Sequence, residues 1–188
     1  VMPLREENRI LVRHGLELMK QTQNVGLHAL MEVNQILPWQ DGKLGAFHIG
    51  FVLGPCLNAS GRLDSAQRAM ELLDSKTREA AVAQAAFLKQ LNDSRKEMTE
   101  EYVKIAVEMI ESGPLKDDRV LVVFLPDCHE SIAGIIAGRI RERYYRPTFV
   151  LTRGEEGVKG SARSIEGYHM YEEMTKCSSF FTKYGGHK

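Results

Sequence analysis

Val120-Leu121-Val122-Val123-Phe124-Leu125 is an unbroken apolar run, and the segments on either side of it decide the fold. Six apolar residues closed by Pro126-Asp127 are too short for a helix of ordinary length and read as a buried strand. Ser131 to Tyr145 carries a helical pattern, and Pro147-Thr148-Phe149-Val150-Leu151 is a second apolar run. Strand, helix and strand in that order imply a parallel pair joined by a right-handed crossover. Val158 to Ser164 continues as a third strand or its exit, and Met170 to Phe181 reads as a further helix.

Working upstream, the composition changes. From Asp64 to Ser112 there is no proline or glycine, and Ala, Glu, Lys, Gln and Leu dominate. Leu91, Met98, Tyr102, Ile105 and Met109 form a stripe at helical spacing. This predicts one long helix, or two in line with a weak point at Asn92-Asp93-Ser94, closed by Gly113-Pro114. A single helix over 74–112 would be roughly 58 Å long at ~1.5 Å per residue, a length suited to a connector between two lobes. Before it, residues 4–20 form an amphipathic pattern, Gly26 to Ile36 a short helix ended by Leu37-Pro38, and 43–53 a further apolar stretch. Gly54-Pro55-Cys56-Leu57-Asn58-Ala59-Ser60-Gly61-Arg62 reads as a loop by composition, with Asp64 as N-cap of the helix that follows. The class is α/β: a helical first lobe over 1–73, a connecting helix over 74–117, and a small α/β lobe over 118–188 built on the parallel strand-helix-strand unit.

Composition narrows the function. The 188 residues are 43% hydrophobic and 27% charged, with a net charge of zero. No global field draws the chain to nucleic acid or membrane, so any nucleic-acid role rests on a local patch. Cys56, Cys128 and Cys177 are odd in number and form no CxxC pair, which fits a reducing, cytoplasmic setting. No apolar run approaches the ~20 residues of a membrane span. The charged start after Val1 and the stop just beyond a Gly-Gly-His turn read as cut ends of a longer protein.

Three elements could carry chemistry. On an extended segment, Lys159, Ser161 and Arg163 share one face. Arginine's planar fork matches phosphate, serine adds a short donor, and Gly160 permits close approach of a ligand to the backbone. The equally available structural reading is an exposed, faintly basic strand edge. Tyr184-Gly185-Gly186-His187 offers backbone amides and an imidazole, although a loop histidine is more often simply solvated. Asn58 to Arg62 places a guanidinium beside the expected start of a helix, where amides favour an anion; a plain capped loop is the alternative. His129, in Asp127-Cys128-His129-Glu130-Ser131, follows the first strand, where α/β sheets place ligands. Zinc partners at the required spacing are missing. Arg139, Arg141, Arg143 and Arg146 form a basic cluster that suits a solvated helix C-terminus better than a phosphate track. No Walker sequence, Asp-x-Asp pair or His-His pair occurs, so no metal ligand is expected within the chain.

Taken together, Gly54-Pro55-x-x-Asn58-Ala59-x-Gly61-Arg62-Leu63, the long helix, His129-Glu130-Ser131-Ile132-Ala133-Gly134 through Arg139 with Arg146-Pro147, Lys159-Gly160-Ser161-Ala162-Arg163-Ser164 and Gly185-Gly186-His187 resemble the RecJ family of the DHH phosphoesterase superfamily. The resemblance covers nearly the whole chain in order and spacing. It implies a single-stranded-DNA exonuclease of DNA repair and recombination, running 5′ to 3′ with Mn2+ or Mg2+. It assigns 1–73 to the end of the DHH domain and 118–188 to the DHH-associated domain. It further implies phosphate contacts from Arg62, Ser161 and Arg163, a cleft-shaping role for Asn58, and a place beside the scissile phosphate for the Gly185 and Gly186 amides and for His187 as catalytic residue. The metal motifs of the family would lie upstream of Val1, so the chain is expected to hold a substrate clamp, to lack the metals, and to be inactive alone. A phosphodiesterase for short oligonucleotides or cyclic dinucleotides, and a non-catalytic nucleic-acid-binding module, are the competing readings.

Overall fold

The computed structural model describes residues 3–155 and 157–186. The chain divides into two compact units, one ending at Lys96 and one beginning at Glu97.

The first unit is helical. Its elements are α1 (Glu6–Lys20), α2 (Val25–Val33), α3 (Pro38–Asp41), α4 (Ala46–His48), a π-helical turn (Ile49–Leu53), α5 (Gly54–Leu63), α6 (Gln67–Leu73) and the first part of α7 (Arg78–Ser112). Leu30, Met31, Leu53, Cys56, Leu72, Ala81, Ala85 and Leu88 build its core. α2 and α6 approach so closely that a Cβ on Gly26 would lie 1.9 Å from the Leu72 carbonyl oxygen.

The expected loop at 54–62 is a helix. Cys56, Ala59 and Ser60 are buried, and their spacing of three and four makes one face of a helical turn. Pro55 has no N–H to give to residue 51. The chain reaches it through the π turn, in which the Gly54 N–H bonds back to the Ile49 carbonyl five residues earlier, a wider turn that accommodates the missing donor. Asp64 accordingly caps the C-terminus of α5 rather than starting a helix, and Arg62 lies in the last turn of α5, not at a helix N-terminus.

The helical stretch expected from Asp64 begins at Gln67, and its break falls at 74–77 rather than at Asn92-Asp93-Ser94. Ser75 Oγ donates to the Glu71 carbonyl at 2.9 Å, and Thr77 Oγ1 accepts from the Ala80 N–H at 3.3 Å. These short side chains satisfy the helix ends locally and make the break favourable. Asn92-Asp93-Ser94, by contrast, lies inside α7. Asn92 is buried, its carbonyl accepting from Arg95 Nε and Nη2, and Asp93 bridges Lys89 and Lys96.

The second unit is α/β. After the end of α7 and a 3₁₀ turn (Pro114–Asp117) come β1 (Leu121–Phe124), α8 (Glu130–Tyr144), β2 (Thr148–Gly154), β3 (Gly157–Arg163) and α9 (Met170–Lys176), with a second 3₁₀ turn at Ser178–Phe180. The sheet order is β1-β2-β3. β1 pairs parallel with β2, Val123 opposite Val150, and β2 pairs antiparallel with β3, Val150 opposite Ser161. α8 packs Ile132, Ala133, Ile136, Ala137 and Ile140 against the sheet, and Ala106 and Ile110 of α7 join the same core. The apolar run of β1 is buried on alternate residues only: Leu121 and Val123 face this core, while Val122 and Phe124 are 46% and 43% exposed.

Candidate nucleic-acid interface

β3 is a pleated strand, so Lys159, Ser161 and Arg163 lie opposite Thr152, Val150 and Thr148 of β2, the buried residues of that strand. They therefore share the sheet face on which α8 packs. Glu130, Ser131, Thr152, Lys159, Gly160 and Ser161 line a cleft of about 230 Å³ where the start of α8 meets β3. Lys159 Nζ is 2.8 Å from Glu130, and both side chains are half exposed. The ammonium, by its hydrogen bond and its charge, holds the Glu130 carboxyl below the usual glutamate range. Arg163 lies one pleat further along. Its Nη1 donates to the Ala162 carbonyl at 2.8 Å. The space a Cβ on Gly160 would need is occupied by Leu151 Cδ2 at 2.5 Å, so this glycine serves the packing of β2 as well as the cleft wall.

The loop between β1 and α8 is held from several sides. Tyr102 Oη donates to the Asp127 carbonyl at 2.6 Å, and Thr152 Oγ1 donates to the Cys128 carbonyl. His129 is the N-cap of α8: its Nδ1 accepts from the Ser131 N–H and lies 2.7 Å from the Ser131 hydroxyl. Burial pushes the Cys128 thiol up to about 11, so it stays protonated at neutral pH. Of the basic cluster, Arg143 pairs with Glu111 at 3.2 Å. Arg146 donates to the Lys116 and Asp118 carbonyls, tying α8's exit to the turn after α7 as a structural clamp.

Gly185 and Gly186 are exposed and follow Tyr184, whose ring packs near Tyr171 and Phe181 and whose hydroxyl donates to Thr175 Oγ1 at 3.3 Å. His187 lies outside the described residues. In the first unit, Asn58 and Arg62 are four apart on α5 and share its exposed face. Sequence reasoning passed over Glu130, Ser131 and Thr152 as cleft residues. The signal for the first two was their place at the start of a helix following a strand.

Comparison with known proteins gives this geometry relatives. A family model described as the DHHA1 domain matches residues 117–188. The single-stranded-DNA-specific exonuclease RecJ of Bacillus subtilis is 36% identical over the whole of this chain, which covers 24% of that protein. The Haemophilus influenzae protein of the same name is 36% identical, with 34% of its length covered. The crystal structure of RecJ from Thermus thermophilus in complex with Mg2+ superposes on all of this chain with a TM-score of 0.84 at 30% identity, covering 28% of that structure.

The chain is similar throughout to proteins of the RecJ family.

It spans between 24% and 34% of the length of these curated relatives. A structure of exonuclease RecJ bound to manganese matches it too, with a TM-score of 0.81. Among the described residues of this chain, no three His, Cys, Asp or Glu side chains converge as a metal site would need. The donor set of the described residues does not fit a divalent ion. No helix among the described residues is long and apolar enough to cross a membrane.

Proposed function

We propose that this chain is the substrate-gripping part of a metal-dependent, single-stranded-DNA-specific exonuclease of the RecJ type, acting 5′ to 3′ in DNA repair and recombination in the cytoplasm. The observation that carries the reading is the placing of Lys159, Ser161 and Arg163 along one face of β3 beside the N-terminus of α8. An ammonium, a hydroxyl and a guanidinium in a row, one pleat apart, follow a phosphodiester backbone, and a fork of N–H donors takes a phosphate in two-point contact. His129 holds the helix start that closes the cleft, and the Gly185-Gly186 amides, with His187, complete the grip near the bond to be cut. Asn58 and Arg62 add a second contact surface on the first unit. In domain terms, 1–73 closes the DHH domain, 74–117 connects, and 118–188 is the DHH-associated, substrate-binding domain. The Mn2+ or Mg2+ ions are held by residues outside these 188.

The test is Mn2+-dependent digestion of 5′-labelled single-stranded DNA of graded length by the full-length protein and by its Arg163→Ala variant. Progressive loss of long strands, reduced about tenfold or more in the variant, supports the reading. Cleavage confined to the shortest oligonucleotides would assign the chain to a short-oligonucleotide phosphodiesterase instead. The 188 residues alone should bind DNA without cutting it, and Mn2+-dependent cleavage by them would overturn the assignment of the metals to other residues.

A further inference from the structure

Where α8 crosses β3, one position of the helix has no side chain and its place is taken by the clamp. A Cβ built on Gly134 would lie 3.1 Å from Arg163 Nη2, 3.4 Å from Ser161 Oγ and 3.5 Å from Ser161 Cβ. Gly138, one helical turn later, has nothing within 4 Å of the corresponding point. The two glycines are chemically equal and equally costly to a helix, so the helix itself gives no reason for both. Only Gly134 sits under the residues that face the cleft. The Arg163 guanidinium is thereby braced on two sides, by its own Nη1 bond to the Ala162 carbonyl and by the bare backbone of α8. It is also exposed, so a methyl group at position 134 would be accommodated by moving the guanidinium rather than by parting helix from sheet. The penalty would fall on where the donors point and leave the core in place.

We infer that Gly134 is a positioning residue of the DNA clamp: its missing side chain sets the place of the Arg163 guanidinium and the Ser161 hydroxyl. The inference rests on the clamp reading above. It is specific to one of two glycines that the sequence alone would treat alike.

The experiment uses the full-length protein, a fluorescein-labelled oligothymidylate and no divalent metal, with binding read by anisotropy over a range of salt. Gly134→Ala should bind about three- to tenfold more weakly, a fraction of the loss of a charge-assisted hydrogen bond, with its melting temperature unchanged or raised. Gly138→Ala should bind as the parent does. Arg163→Ala should bind about tenfold or more weakly, and its slope of log affinity against log salt should fall by about 0.7, one phosphate contact on a single strand. On a Ser161→Ala/Arg163→Ala background, Gly134→Ala should cost nothing more, since groups acting through each other are not additive. Gly134→Ala binding like Gly138→Ala while Arg163→Ala fails would overturn the inference and leave the clamp standing. An undiminished Gly134→Ala loss on the double background would also overturn it. No effect of Arg163→Ala would remove the clamp reading itself, and the inference with it. If Gly134→Ala does not fold, Gly134→Ala/Arg163→Lys decides: the shorter lysine leaves room for the methyl, so a folded double variant supports the inference and an unfolded one makes Gly134 a packing residue only.

Discussion

Asn58-Ala59-Ser60-Gly61-Arg62 and Lys159-Gly160-Ser161-Ala162-Arg163 are built from nearly the same residues: a polar opener, alanine, serine and glycine, and a closing arginine. The first is the body of helix α5 and the second is strand β3. Small residues permit either conformation, and the neighbours decide. In α5 the deciding fact is a buried face of Cys56, Ala59 and Ser60, which only a helical period can align. In β3 it is pairing with β2, in which every residue from Gly157 to Arg163 has a partner opposite. The polar residues then follow the geometry of each: Asn58 and Arg62 coincide on a helix at four apart, and Lys159, Ser161 and Arg163 coincide on a strand at two apart.

Substitutions can break this contrast. The largest effect is expected from an aspartate. Ala59 is fully buried, so Ala59→Asp should cost about 3 kcal/mol or more, whereas Ala162→Asp, on a half-buried strand position, should cost about 1 kcal/mol or less. Urea unfolding of the chain followed by Trp39 fluorescence, which reports on the first unit, should register the former as a large drop in midpoint. Next comes glycine to alanine, with opposite signs in the two segments. Gly160→Ala drives a Cβ against Leu151 Cδ2 and should destabilise the second unit by about 1 to 2 kcal/mol, seen as faster amide exchange in β2 and β3. Gly61→Ala meets only Ala66 Cβ at an ordinary 3.6 Å and should stabilise the first unit by about 0.5 to 1 kcal/mol. If both changes destabilise, α5 is not the helix described. The smallest effect concerns Glu130 and Lys159. Glu130's carboxyl is held below its ordinary 4.5. The pair is therefore intact above that pH and is lost as pH falls through the lower folded value. An NMR titration should place Glu130's midpoint below 4.5, and Lys159→Met should return it towards that ordinary value. An unchanged midpoint would remove the ion pair from the cleft.

The strand-helix-strand unit was legible because its signals are local: an apolar run, a helical period and a second run. The shared face of Lys159, Ser161 and Arg163 was legible for the same reason, since a period of two needs no tertiary knowledge. The helix over 54–63 was not. Gly-Pro ordinarily punctuates a chain, and nothing in the residues announces that a π turn will carry a helix through it. The interruption at 74–77 was hidden because Ser75 and Thr77 act through hydrogen bonds rather than through proline or glycine. Asn92 looked like a weak point and is instead buried and bonded. Gly134 and Gly138 look identical in sequence, and only the chain opposite each distinguishes them.

β1 stands at one edge of the sheet among the described residues, with Val122 and Phe124 turned away from the α8 side. That has a practical side. An outer strand with open backbone groups and an apolar outward row is the arrangement that promotes sticking between molecules. Handled by itself, this chain should lose solubility as concentration rises. A lysine at Val122, the position on that row opposite Phe149, is the change that should keep it dispersed without touching Lys159, Ser161 or Arg163.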